Sequence, residues 1–175
     1  QRQDTDDKGV TRTVSILSTE GSTGRNLHPT NSGESHNDLD AGVQVRGRFN
    51  VIKDNIIDDC LFGVDLQQSD HNVVRRNRIS SKPFELGQRG DAIRLWYSFH
   101  NKITDNEINK VRDTVVWYSA DNTIARNSAS DSRYSLHFMY SRRNVVEDKT
   151  SYNNTEGKFL MDSDGGGIPN NDTAQ

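Results

Sequence analysis

The chain has 175 residues, 31% of them hydrophobic, with a formal net charge of −3 and a mean hydropathy of −0.89; that is length enough for one domain with its own core, although so low an apolar content by itself points to disorder. The charge balance leaves no basic stripe for nucleic acid, and a lone cysteine, Cys60, excludes an internal disulfide and Cys-based zinc or iron–sulfur centres. No apolar run reaches the roughly 18 residues of a membrane span, and the start has neither the basic nor the apolar region of a leader, as in a cytosolic chain or one whose leader has been removed.

In chain order, residues 1–8 are polar and read as a frayed start. Val10, Val14, Ile16 and Leu17 mark a weak strand, and the Ser, Thr, Gly, Asn, Glu and His residues from Thr19 to Asn37 predict a long loop that cannot place His28 or His36. Residues 1–37 are thus a polar N-terminal segment. At Asp38-Leu39-Asp40-Ala41-Gly42-Val43-Gln44-Val45 the chain begins to alternate as a half-buried strand does. A repeat then takes over. Asn recurs at 50, 72, 101, 122 and 144, in steps of 22, 29, 21 and 22 residues, and again five residues later at 55, 77, 106 and 127, with Lys149 breaking the second series. The one long step is absorbed between Ser80 and Gly90, a segment with Pro83 and two glycines that should loop out. After Ser163 the repeat fails, and residues 164–175 form a Gly-rich tail. A stack ending without a polar cap leaves an open edge, so the chain reads as part of a longer solenoid.

No stretch keeps a 3.6-residue period. Short strands bounded by Gly, Asn, Asp or Ser at a period near 22 residues predict an all-β fold, a right-handed parallel β-helix over 38–163. Such a solenoid needs few apolar residues because each coil buries its inner face on the next. Aligned on Asn, the coils yield two apolar columns: Ile52, Val74, Ile103, Ile124, Val146 and Leu66, Leu95, Val116, Phe138, Leu160. The Asn columns read as structural ladders, since a buried amide must be paired.

Outward columns are where function could sit. Asp65, Arg94, Val115, His137 and Phe159 form one; Gln67, Trp96, Trp117, Met139 and Met161 form another, two residues on. The second is an apolar ridge, of the kind that a loop or a partner covers, with Trp96, Trp117 and Met139 as docking residues. His137, Met139 and Met161 together offer an imidazole and two thioethers, a donor set that selects copper. A third column, just before the ladder Asn, stacks Phe49, His71, His100, Asp121 and Arg143; His71, His100 and Asp121 are its alternative metal ligands, set against the plainer reading of a polar turn. The rival chemistry is carbohydrate binding, or sugar lyase, hydrolase or epimerase activity, with Asp65, Arg94 and Asp91 as an acid/base group near Asp38 and Asp40.

Three segments, Asp38-Leu39-Asp40-Ala41-Gly42, Gly90-Asp91-Ala92-Ile93-Arg94-Leu95-Trp96-Tyr97-Ser98 and Leu136-His137-Phe138-Met139-Tyr140-Ser141, resemble the NosD family of parallel β-helix proteins with repeats of the carbohydrate-binding/sugar-hydrolase type. The similarity runs from about Asp38 to Ser163. It implies a non-enzymatic accessory protein of the bacterial periplasm, acting with the ATPase and membrane subunit of an ABC transporter and a small copper chaperone to assemble the copper–sulfur centre of nitrous oxide reductase. The chain departs from the family in stopping after few coils and in Met161-Asp162-Ser163, where a Tyr is usual before the Ser. The resemblance fixes no copper ligands; those come from the columns.

Overall fold

The structure is a computed structural model that describes residues 41–163, together with the backbone of four short strands before them, Arg2–Thr5, Thr11–Val14, Ile16–Leu17 and Thr23–Arg25. The expectations for Asp38, Asp40, His28, His36 and the tail 164–175 lie outside the described residues.

A parallel β-solenoid of about six turns emerges, each turn passing through three sheets. Sheet 1 stacks Ala41–Arg46, Phe62–Gln67, Asp91–Trp96, Asp113–Trp117, Tyr134–Met139 and Phe159–Met161 in parallel. Sheet 2 stacks Val51–Lys53, Val73–Arg75, Lys102–Thr104, Thr123–Ala125 and Val145–Glu147. Sheet 3 stacks Ile56–Cys60, Arg78–Ser81, Glu107–Asn109, Ser128–Ser130 and Thr150–Tyr152. The long step loops out as expected, through a single 3-10 turn at Leu86–Gln88, and the stack continues across it. At the start, Thr23–Arg25 and Ile16–Leu17 pair antiparallel with Ala41–Arg46 and Val51–Lys53, covering the edge of the first coil in two of its three sheets.

Both predicted apolar columns are in direct register. Sheet 3 adds a third, Ile57, Ile79, Ile108, Ala129 and Ser151. Together they fill the interior, and only Leu160, on the last described rung, is exposed.

Each corner follows one rule. A residue in the left-handed region, with φ between 44° and 62°, turns the chain so that the next side chain points inside. Phe49, His71, His100, Asp121 and Arg143 precede the first Asn ladder; Asp54, Arg76, Asp105 and Arg126 precede the second; Gln68, Tyr97, Tyr118, Tyr140 and Asp162 precede a ladder of serines. A non-Gly residue there costs roughly 1 kcal/mol, which the buried ladder offsets. In the first ladder the Oδ1 of each Asn after Asn50 accepts both the backbone N–H and the Nδ2 of the Asn one rung earlier, at 2.8–3.0 Å. The serine ladder, a pairing not foreseen from the repeat, gives each Oγ the backbone N–H of the preceding rung at 3.0–3.2 Å. Where Lys149 replaces the fifth Asn of the second ladder, its amine is buried and donates to Gly157 O at 2.8 Å and to Ser135 Oγ; burial pushes it down to about 7.

Asn101 is hydrogen-bonded on both sides, through Asn72 below and Asn122 above, and its Nδ2 also reaches Ser69 O. Asn101→Ala takes the acceptor from the buried N–H of Asn72 and the side-chain donor from Asn122 Oδ1 and Ser69 O, so it is expected to cost about 2–3 kcal/mol. The check is a lowered urea midpoint with an unchanged slope.

Candidate metal and docking face

The outer face of sheet 1 carries both proposed outward columns. Asp65, Arg94, Val115, His137 and Phe159 pair rung to rung, as do Gln67, Trp96, Trp117, Met139 and Met161. The register is as read from the repeat; the exposure is not. Asp65, Gln67, Val115 and His137 are buried, Trp96, Trp117 and Met139 are half-buried, and Met161 is exposed. A ladder of charge and hydrogen bonds accounts for the first part of this burial. Arg94 grips Asp65 with two hydrogen bonds, of 2.8 and 2.9 Å, while its guanidinium lies 3.9 Å from the Phe62 ring centroid. Gln67 and Gln44 also donate to the Asp65 carboxylate, at 2.7 and 3.2 Å.

This bears on the three residues of the rival chemistry. Asp65 and Arg94 meet, and every donor named above is spent on holding that carboxylate. Asp91 instead pairs with Arg112, at 2.9 and 3.0 Å; burial pushes its carboxyl up to about 6, against the pull of Arg112. The arrangement stabilises a stack of rungs, with two carboxylates gripped by two different guanidinia.

One rung on, a third pair behaves differently. Asp113 accepts two hydrogen bonds from Arg133 and the backbone N–H of Tyr134 at 3.2 Å, and its Oδ2 lies 3.3 Å from His137 Nδ1. Burial works against its ionised form, but the hydrogen bonds from His137 and Arg133 outweigh it and hold the carboxyl below its ordinary range. The tautomer that donates from Nδ1 to this carboxylate presents its lone pair at Nε2. That Nε2 is buried and has no hydrogen-bond partner among the described residues. The ring is walled by Tyr134 and Phe159, with centroids at 5.2 and 5.1 Å. Met139, two residues along the same strand, shares its face with His137, and Met161 is the rung partner of Met139. This face thus carries one imidazole and, two residues on, two thioethers on consecutive rungs, donor types that favour soft cations. Among the described residues no group of three or more His, Cys, Asp or Glu could hold a metal ion, so a harder ion has no such cage there.

Beside this face runs a feature the repeat did not single out. Tyr97, Tyr118 and Tyr140, all left-handed, stack with centroids 4.9 and 5.0 Å apart and planes within 10° of parallel. Trp96 packs edge-on against Tyr97, and Trp117 lies along Tyr118 with its Nε1 buried and unpaired among the described residues. All three tyrosines are exposed. The signal was available as a Tyr before each ladder Ser at 98, 119 and 141; what hid it is that a left-handed position normally takes a smaller polar residue.

In the third column, the rings of His71 and His100 are tilted by 32° with centroids 5.0 Å apart, and Phe49 lies 5.3 Å beyond His71. Asp121 does not join them, because Arg143 holds both its oxygens at 2.7 and 2.8 Å.

A family model described as periplasmic copper-binding protein (NosD) matches residues 79–175, more than half of the chain. No curated protein and no solved structure matches.

Proposed function

The chain belongs to the NosD family, described as periplasmic copper-binding proteins, and from that premise we propose that it is a periplasmic scaffold that holds copper on the outer face of sheet 1 during assembly of the copper centre of nitrous oxide reductase. His137 Nε2, with the thioethers of Met139 and Met161, would receive the ion, which is cargo here and not a resident cofactor. The observation that carries this reading is the buried, unpaired Nε2 of an imidazole whose other nitrogen faces a carboxylate. A buried polar atom without a partner is costly, and a bound soft cation removes that cost. The exposure of Met161 suits an ion that must leave again.

The partners in this reading are the membrane subunit and ATPase of an ABC transporter, a small copper chaperone that supplies the ion, and nitrous oxide reductase. They would dock along Trp96, Trp117 and Met139. Half-buried tryptophans beside an exposed tyrosine stack supply apolar area at little cost in side-chain entropy, and Met139 adds an adaptable one. No step of catalysis is assigned to the chain.

Anaerobic competition with a chromophoric Cu(I) chelator tests the metal site. The wild-type chain is expected to take one Cu(I), and the His137→Ala/Met139→Ala variant to bind it on the order of 100-fold more weakly. Equal affinity in the two proteins, with unchanged circular dichroism, would sink the assignment.

A further inference from the structure

At the corner between sheets 1 and 2, away from the thioether site, two histidines occupy the same position on consecutive rungs. His71 and His100 have nearly identical backbones, with φ of 57° and 55°. They are locked at one rung spacing by the Asn72–Asn101 step of the ladder and by the bond from His71 N to Phe99 O. Their side chains therefore leave the backbone in parallel. Both are exposed, and neither ring nitrogen is hydrogen-bonded among the described residues. We propose that His71 and His100 form a two-imidazole chelate for a divalent first-row cation, with Cu(II) the best fit.

The spacing is what carries this. An imidazole that binds a metal through one nitrogen at about 2.0–2.1 Å places its ring centroid roughly 3.2 Å from the ion. Two such rings with centroids 5.0 Å apart subtend an angle of about 100° at the metal, between the cis angle of a square plane and that of a tetrahedron. The rings are thus already at chelating distance, and only rotation of exposed side chains is needed. Phe49 packs on the outer side of His71 and limits how far that ring can swing. Asp121, one rung above His100, is gripped by Arg143 and contributes negative charge next to the pair without ligating. Imidazole nitrogens with open positions for water suit Cu(II) above Zn(II) and Ni(II), and the pair lacks the sulfur that selects Cu(I). The site at His137 and this corner therefore differ in softness, and neither depends on the other.

The test follows the ring signals of the five histidines by NMR during titration with Zn(II) as the diamagnetic probe, then measures Cu(II) by competition. Signals of His71 and His100 are expected to move together and saturate at one ion. His71→Ala and His100→Ala should each weaken Zn(II) and Cu(II) on the order of 10- to 100-fold, because either one turns a chelate into a single ligand, and the double variant should lose the site altogether. His137→Ala should leave this site unchanged, which separates its fate from that of the Cu(I) assignment. Independent movement of the two rings, metal-induced shifts at His28 and His36 instead, or a single variant with wild-type affinity would overturn the proposal. Both positions are exposed, and matching thermal melts show that the variants are folded.

Discussion

Gly90→Ala is expected to be among the most damaging single substitutions in the chain, lowering the melting temperature by roughly 10 °C. Gly90 is buried at the point where the looped-out segment rejoins the stack. A Cβ built on it would lie 1.7 Å from the carbonyl oxygen of Leu61 and 2.2 Å from its carbonyl carbon. Those are backbone atoms of the rung below, so no side chain can move aside. Nor can the glycine retreat upward, because its own carbonyl accepts the N–H of Arg112 on the rung above at 2.8 Å. The strand that follows must shift, and with it the pairing of Asp91 with Phe62 and of Arg94 with Asp65. Gly87, three residues earlier in the same loop, has nothing within 4 Å of the place its Cβ would take. Gly87→Ala is therefore the control, and a near-neutral change is expected there. Melts of both variants check the pair; equal effects would show that the loop, and not the contact with Leu61, sets the cost.

The same contrast, between what a repeat dictates and what depends on neighbours outside it, explains which parts of the molecule were legible from sequence. Periodicity of Asn fixes which residues lie above one another, so the columns through Ile103, Leu95 and Trp117 could be written down without coordinates. It does not say how much of an outward column is covered. His137 and Asp65 alternate with core residues and so read as solvent-facing, yet both are buried by bonds across rungs and by aromatic rings. Those bonds had a signature that passes unnoticed when charges are scanned locally. Asp91 and Arg112 lie 21 residues apart, Asp113 and Arg133 lie 20, and Asp54 and Arg76 lie 22. An acid and an arginine one coil apart are direct neighbours in a solenoid, as the column Asp54, Arg76, Asp105 and Arg126 also shows. The tyrosine stack was hidden for a different reason, since it sits where backbone strain is expected to exclude large side chains.

Asp113→Ala is expected to cost about 3–5 kcal/mol, since it removes the acceptor from three donors at once. Its side chain is almost fully buried. Arg133 would lose both hydrogen bonds, Tyr134 N its acceptor, and His137 Nδ1 the carboxylate that fixes its proton. Arg112, whose Nε lies 3.8 Å from Asp113, would lose that ion pair but keep Asp91. Asp113→Asn keeps the shape and an oxygen for Tyr134, so it should lose less stability, by urea titration, than the alanine variant. The two substitutions also separate the fold from the metal site. If the carboxylate orients His137 so that Nε2 faces a soft cation, Asp113→Asn should weaken Cu(I) binding about 10- to 100-fold while the chain stays folded. A well-folded Asp113→Asn chain with undiminished Cu(I) affinity would mean that Asp113 serves the stack alone, and that His137 is oriented by Tyr134 and Phe159.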